Sequence, residues 1–180
     1  MTDFGRALIE EAKRRLFGES FPRLRACLDR LPDEALWRQP NARTPSAGQL
    51  VVHLCGNARQ WIVSGLGGAP DVRDRAAEFS ENARRSRAEL LELVERTRSD
   101  VAAALDRLDP ADLLRPRPVQ VFTESGLSIL VHVVEHVSYH VGQITYVVKS
   151  TQDVDLGYYA GRDLNRRASE GAPGPGAPPP

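Results

Sequence analysis

Three histidines stand four residues apart in His132-Val-Val-Glu-His136-Val-Ser-Tyr-His140, inside a long apolar stretch that runs from Gly126 to Val148. A four-residue repeat keeps side chains on one face only in an α-helix, so this stretch is committed to a helix with an imidazole stripe. Such a stripe on an otherwise apolar helix needs partners, because burying polar rings unpaired costs on the order of a few kcal/mol. The one other histidine, His53, lies on a second apolar segment. Imidazole is the commonest protein metal ligand, and the placement points to a metal site shared by two helices.

Helical geometry limits which rings can share an ion. A four-residue step turns by about 40° and rises about 6 Å, so His132 and His140 are about 12 Å apart along the axis and cannot both ligate. One ion can take His132 with His136, or His136 with His140. Adding His53 to either pair gives three imidazoles and an open coordination position, the arrangement expected of a catalytic metal. Spacing does not choose between the pairs.

The rest of the chain reads as helix between turn signals. Leu8, Ala12, Leu16, Leu24 and Leu28 recur at helical steps from Asp3 to about Leu31, with a bend expected near Gly18 and Pro22 and a stop at Pro32. Ser46-Ala-Gly-Gln49 has the form of a capping box and opens a second helix that carries His53 to Leu66, ahead of Gly-Gly-Ala-Pro70. After Ser80, the residues Leu90, Leu91, Val94, Val101 and Leu105 mark a third helix that ends before Pro110. Past the interruption Arg115-Pro-Arg-Pro118, a fourth helix is expected from about Ser125 to Ser150. Four long helices with almost no strand signal predict an all-α chain, an antiparallel four-helix bundle with short loops, in which metal sites form between facing helices. Residues 1–160 form the expected bundle, and 161–180, ending in Gly171-Ala-Pro-Gly-Pro-Gly-Ala-Pro-Pro-Pro180, read as a disordered polar and Pro/Gly-rich tail.

Composition excludes several function classes. The chain has 180 residues, 41% hydrophobic and 27% charged, which suits one globular domain with a sizeable core. Lysine plus arginine balance aspartate plus glutamate at 24 each, so no global field favours nucleic acid or an acidic membrane surface. The acidic N-terminal stretch has no apolar run of a secretory signal, and Cys27 and Cys55 form no CxxC motif, which together predict a cytoplasmic protein. Glu135, Gln143 and three histidines in the fourth helix argue against a membrane span. His132-Val-Val-Glu135-His136 also matches H-x-x-E-H, the inverzincin pattern, but those proteases need a downstream acidic ligand in a large α/β fold. The bundle di-iron motif fails because it requires two Glu-x-x-His pairs and no glutamate here stands three residues before a histidine.

The stretches Leu50-Val-Val-His53-Leu-Cys-Gly-Asn57-Ala-Arg-Gln-Trp61 and Val134-Glu-His136-Val-Ser-Tyr-His140-Val-Gly-Gln143-Ile resemble the DinB-like (YfiT-like) superfamily. With Ser64-Gly-Leu-Gly-Gly68, Arg73-Asp-Arg75 and Asp155-Leu-Gly-Tyr-Tyr159 they resemble one of its uncharacterised bacterial branches, over Phe4 to Tyr159. The resemblance implies a four-helix bundle holding one divalent metal through a histidine on the second helix and an H-x-x-x-H pair on the fourth. Carried over by position, it selects His53, His136 and His140 and leaves His132 as an extra residue that hydrogen-bonds, meets substrate or fills the bundle.

Asn57, one turn after His53, and Gln143, three residues after His140, are placed to hold a ligand ring or meet substrate. Cys55 is about 200° around the helix from His53 and is expected to pack as a small hydrophobe, while Glu135 is expected in solvent. No catalytic residue is assigned. Imidazole suits several metals, with zinc or nickel placed first and iron or manganese after them. Better-understood relatives activate low-molecular-weight thiols for transfer or isomerisation, and others are suspected hydrolases. The resemblance therefore implies a small metal-dependent thiol transferase or hydrolase acting on a small molecule; a non-catalytic metal-binding or stress-associated protein is the alternative. A homodimer is compatible with the sequence. An open coordination position would favour the enzyme, and a fourth protein ligand the binder.

Overall fold

In the computed structural model, which describes residues 2–167, four helical rods surround one apolar core. The first rod joins α1 (Thr2–Lys13) to α2 (Phe21–Arg30) through a π-helical segment, Arg14–Ser20. That segment occupies the expected bend, and its wider turn lets Pro22 stand in the first turn of α2, where a missing N–H costs little. After the single turn α3 (Asp33–Leu36), the second rod consists of α4 (Ala47–Ala58) continued by a second π-helical segment, Arg59–Leu66. Ser46 caps α4 as expected: its hydroxyl accepts from the Gln49 backbone N–H, and the Gln49 side chain accepts from the Ser46 N–H.

The third rod, α5 (Arg87–Asp106), begins one turn before Leu90, the first apolar residue of its stripe. Short 3-10 turns at Ala77–Phe79 and Glu81–Ala83 occupy the preceding stretch, and Ser86 with Glu89 forms the capping box that fixes the true start. Between α5 and the last rod, a 3-10 turn at Pro110–Leu114 leads into an antiparallel hairpin of β1 (Pro116–Val119) and β2 (Phe122–Ser125), in place of the loop expected there. Its register pairs Pro116 with Ser125 and Val119 with Phe122, and Gln120 takes a positive φ of 54° in the two-residue turn. Ser125 then caps α6 (Gly126–Gln152), so the hairpin sets where the histidine helix begins.

Within α6, Ile129, Val133, Val137, Val141, Ile144 and Val148 are buried and face the core at three- and four-residue steps. His132, His136 and His140 each precede one of those valines, so their stripe lies about 100° around the helix, at the half-buried margin of the core. α4 packs against both α6 and α5, and α2 packs against α6. The chain after α6 folds back over the first rod: the Tyr158 hydroxyl lies 3.2 Å from Cys27 Sγ and 2.9 Å from Thr145 Oγ1. Cys27 and Cys55 are both free and buried. No helix among the described residues is long and apolar enough to cross a membrane. Residues 161–167 are exposed, and the Pro/Gly-rich run expected as a disordered tail lies outside the described residues.

Candidate metal centre

Direct packing of α4 on α6 brings His53 against His136 and His140. One nitrogen from each ring lies within 4.8 Å of the other two, the one such histidine, cysteine or carboxylate group among the described residues. The Nε2 atoms of His53 and His136 are 3.1 Å apart, and the His140 ring centroid is 5.0 Å from that of His53 and 4.5 Å from that of His136. Of the two pairs that helical spacing allowed on α6, the structure brings the second to His53.

Each outer ring is held from behind. His53 Nδ1 is 2.8 Å from Glu78 Oε2, and both side chains are buried. Arg73 grips the same carboxylate in a fork, Nε to Oε1 at 2.6 Å and Nη2 to Oε2 at 2.9 Å. Arg73 is itself anchored by the Gln60 carbonyl at 2.8 Å, and the Gln60 amide donates to Asp71 at 2.7 Å. Arg73 Nη2 also lies 3.2 Å from His53 Nδ1; a guanidinium can only donate, so this longer contact competes with Glu78 for Nδ1. The Glu78 carboxylate, kept ionised by the Arg73 fork, can only accept, and at the shorter 2.8 Å it holds the proton on His53 Nδ1, which leaves Nε2 as an acceptor facing His136. On the other side, His140 Nδ1 is 2.7 Å from Gln143 Oε1, whose amide donates to the Tyr139 hydroxyl at 3.2 Å. This tie also frees the Nε2 of His140, but it lies on the exposed face of α6.

The electrostatics favour ligand-ready forms. Burial, reinforced by the neighbouring imidazoles, pushes His136 down to about 3, and burial also lowers His140 and His132. These rings are neutral near pH 7. Burial alone would raise Glu78, but the hydrogen bonds from His53 and Arg73 outweigh it and hold the carboxylate below its usual range. Cys55, two residues from His53, is buried with its thiol pushed up to about 12, as befits a packed sulfur rather than a ligand.

His132 stands apart from the trio. Its ring stacks on Trp61 at 3.7 Å and 22°, and its Nε2 accepts from Asn57 Nδ2 at 3.3 Å. Asn57 thus steadies His132, where the sequence left it free to hold a metal-facing ring or meet substrate; Gln143 does hold one. Glu135 is exposed. Asn57 Oδ1, Trp61 Nε1 and His136 Nδ1 are buried without a protein hydrogen-bond partner, so unmet polar groups cluster around His132 and His136. No sequence pattern points to Glu78, and Arg73 enters the sequence reading only through the run Arg73-Asp-Arg75. A cavity of about 360 Å³ has both in its wall but lies behind His53, away from the converging nitrogens.

The geometry fits a small divalent ion. Two nitrogens bound at about 2.05 Å to one tetrahedral ion stand about 3.3 Å apart, close to the 3.1 Å between His53 and His136. Two ring nitrogens at that distance share either one proton or one cation, and the nitrogen of a third ring within 4.8 Å suits the cation.

Comparison with known proteins places this arrangement in context. Residues 3–159 match the family described as "Protein of unknown function (DUF1572)". Among solved structures, a DinB-like protein (YjoA) from Bacillus subtilis aligns with a TM-score of 0.60 at 19% identity, covering 77% of this chain and 90% of that one. A DinB-like protein from Bacillus cereus ATCC 10987 aligns with a TM-score of 0.59 at 18% identity, covering 74% and 87%. At such identity the likeness speaks for the fold. No match is found among curated proteins.

Proposed function

We propose, since this chain belongs to the DUF1572 family and has the DinB-like fold, that it is a small metal-dependent enzyme holding one divalent ion through His53, His136 and His140. The observation that carries this reading is a converging group of three imidazoles with no fourth histidine, cysteine or carboxylate donor in the group among the described residues. His132 is turned to Trp61 and Asn57, and Glu78 to the rear of His53, so neither supports the closed, purely structural alternative. A divalent ion with only neutral ligands keeps its charge and supplies Lewis acidity to a water or thiol at the open position.

The chain's own residues do the rest. Glu78 and Gln143 hold the ring protons of His53 and His140 on the far nitrogens, and burial keeps His136 neutral. Half-buried His136 and His140 leave the site reachable from the α6 side, and the His132–Trp61 stack forms a flat wall one turn away. The unmet polar atoms of Asn57 and Trp61 beside that wall suit a small polar substrate better than an apolar one. Zinc or nickel is the expected metal, and thiol transfer or hydrolysis on a small molecule the expected reaction.

Elemental analysis of tag-free protein tests the site. One equivalent of metal is expected in the wild type and in His132→Ala, with loss in His53→Ala, His136→Ala and His140→Ala. Full retention in His136→Ala would defeat the assignment. A screen of low-molecular-weight thiols and ester substrates on the loaded protein then tests the reaction class, and inactivity across both would return the chain to the binding alternative.

A further inference from the structure

The structure assigns to Glu78 the role of a positioning residue that fixes the tautomer of His53, with Arg73 holding the carboxylate and Gly56 making room for it. This rests on the metal reading only for its purpose, not for its geometry.

Three observations carry it. First, the hydrogen bond from His53 Nδ1 to Glu78 Oε2 is 2.8 Å long and both side chains are almost fully buried, at 9% and 6% exposed, so water does not compete for the ring proton. Second, Arg73 donates to both oxygens of Glu78 and is 5% exposed, so the brace is a neutral pair that adds no net charge behind the ligand. Third, Gly56, one turn after His53 on α4, is the seat of the carboxylate: a Cβ there would stand 2.1 Å from Glu78 Oε1. No left-handed backbone is needed at Gly56, which sits in regular helix, so the missing side chain is spent on this approach.

A carboxylate behind a ligating histidine orients the ring, selects the tautomer and strengthens the donor nitrogen, and such partners typically matter by about 10–100-fold in metal affinity. Here the selected form is Nδ1–H, with Nε2 free. The converse follows from the donor inventory. In Glu78→Gln, Arg73 can only donate and keeps the amide carbonyl, so the amide N–H turns to His53 Nδ1 and drives the ring to the Nε2–H form, which must lose a proton before it can bind metal.

The test uses full-length, metal-free protein labelled with nitrogen-15, with histidine tautomers read from long-range proton–nitrogen spectra. His53 is expected as Nδ1–H in the wild type and as Nε2–H in Glu78→Gln. Zinc affinity, measured by chelator competition, is expected to fall about 10–100-fold in Glu78→Gln. It should fall in the same direction in Gly56→Ala, where the carboxylate is displaced and no charge changes. His53 as Nε2–H in the wild type, or wild-type zinc affinity in both variants, would overturn the assignment. The wild-type tautomer decides even if a variant does not fold. A wild-type protein that shows Nδ1–H and its reversal in Glu78→Gln, yet binds no zinc, would refute the metal reading and leave the positioning role standing.

Discussion

His53 and His140 both bring a ring nitrogen to the same cluster, but one is braced in the core and the other at the surface. Behind His53 stand a buried carboxylate, a buried guanidinium, and a further glutamine and aspartate that tie the guanidinium down. Behind His140 stands one exposed glutamine on the same helix, three residues on. The difference follows from what each helix has at its back. α4 is covered by the segment between the second and third rods, which can deliver charged groups from far along the chain, whereas the outer face of α6 meets solvent and can be served only by its own next turn. The core-side ring is fixed by tertiary structure and the surface-side ring by local sequence.

Removing Arg73 should break this comparison hardest. Arg73→Met leaves Glu78 buried with an uncompensated charge, and a loss of about 3–5 kcal/mol is expected in denaturant unfolding of the metal-free protein. A loss below about 1 kcal/mol would mean that the pair is not desolvated in solution.

Acid should come next. Burial holds His136, His140 and His132 below the ordinary histidine value of 6.5, with His136 at about 3, so the unfolded chain takes up protons first as pH falls. Their contribution to stability is complete above about 6.5 and is lost progressively toward pH 3, as a pH series of unfolding midpoints on metal-free protein would show. A flat profile between pH 7 and 5 would contradict the buried, neutral rings.

The His132–Trp61 stack lies outside the metal-facing trio and tests its boundary. His132→Ala should cost about 0.5–1.5 kcal/mol in unfolding through the lost ring contact. Its metal content should be that of the wild type.

Gln143→Ala is expected to have the smallest effect, with stability changed by less than about 0.5 kcal/mol, as for exposed positions generally. Zinc affinity by chelator competition should fall less than in Glu78→Gln. An equal or larger fall would show that the exposed brace matters as much as the buried one and would erase the contrast.

The asymmetry also explains what could be read from the sequence. His136, His140 and Gln143 share one helix, so a period of 3.6 residues places them without knowledge of the fold. His53, the one other histidine on an apolar helix, was legible as the third ring, and the resemblance was needed only to choose the pair, since spacing left two open on α6. Glu78 and Arg73 lie in a stretch with no hydrophobic period, 25 and 20 residues from His53, and nothing local says which way they turn. Gly56 reads in sequence as a tolerated helix glycine, and its use becomes visible only once the carboxylate is seen against it. The hairpin was hidden for another reason: prolines alternate through Arg115-Pro-Arg-Pro118, and the turn puts Gln120, not glycine or asparagine, at positive φ. The helical rods were legible because caps and apolar stripes agree, as at Ser46 with Gln49.

The contact of Tyr158 with Cys27 and Thr145 has a meaning in the order of synthesis. A growing chain makes His53 early and its brace Glu78 next, but must carry that ring without the other two until α6 has emerged. It makes the Cys27 end of the first rod earlier still, and that end receives its tyrosine only after the whole of α6 is out. Gathering of the three rings thus waits for α6 and closure of the first rod for the segment after it, and a nascent chain stopped at the end of α6 would hold all three histidines without the tyrosine that fastens the first rod to α6.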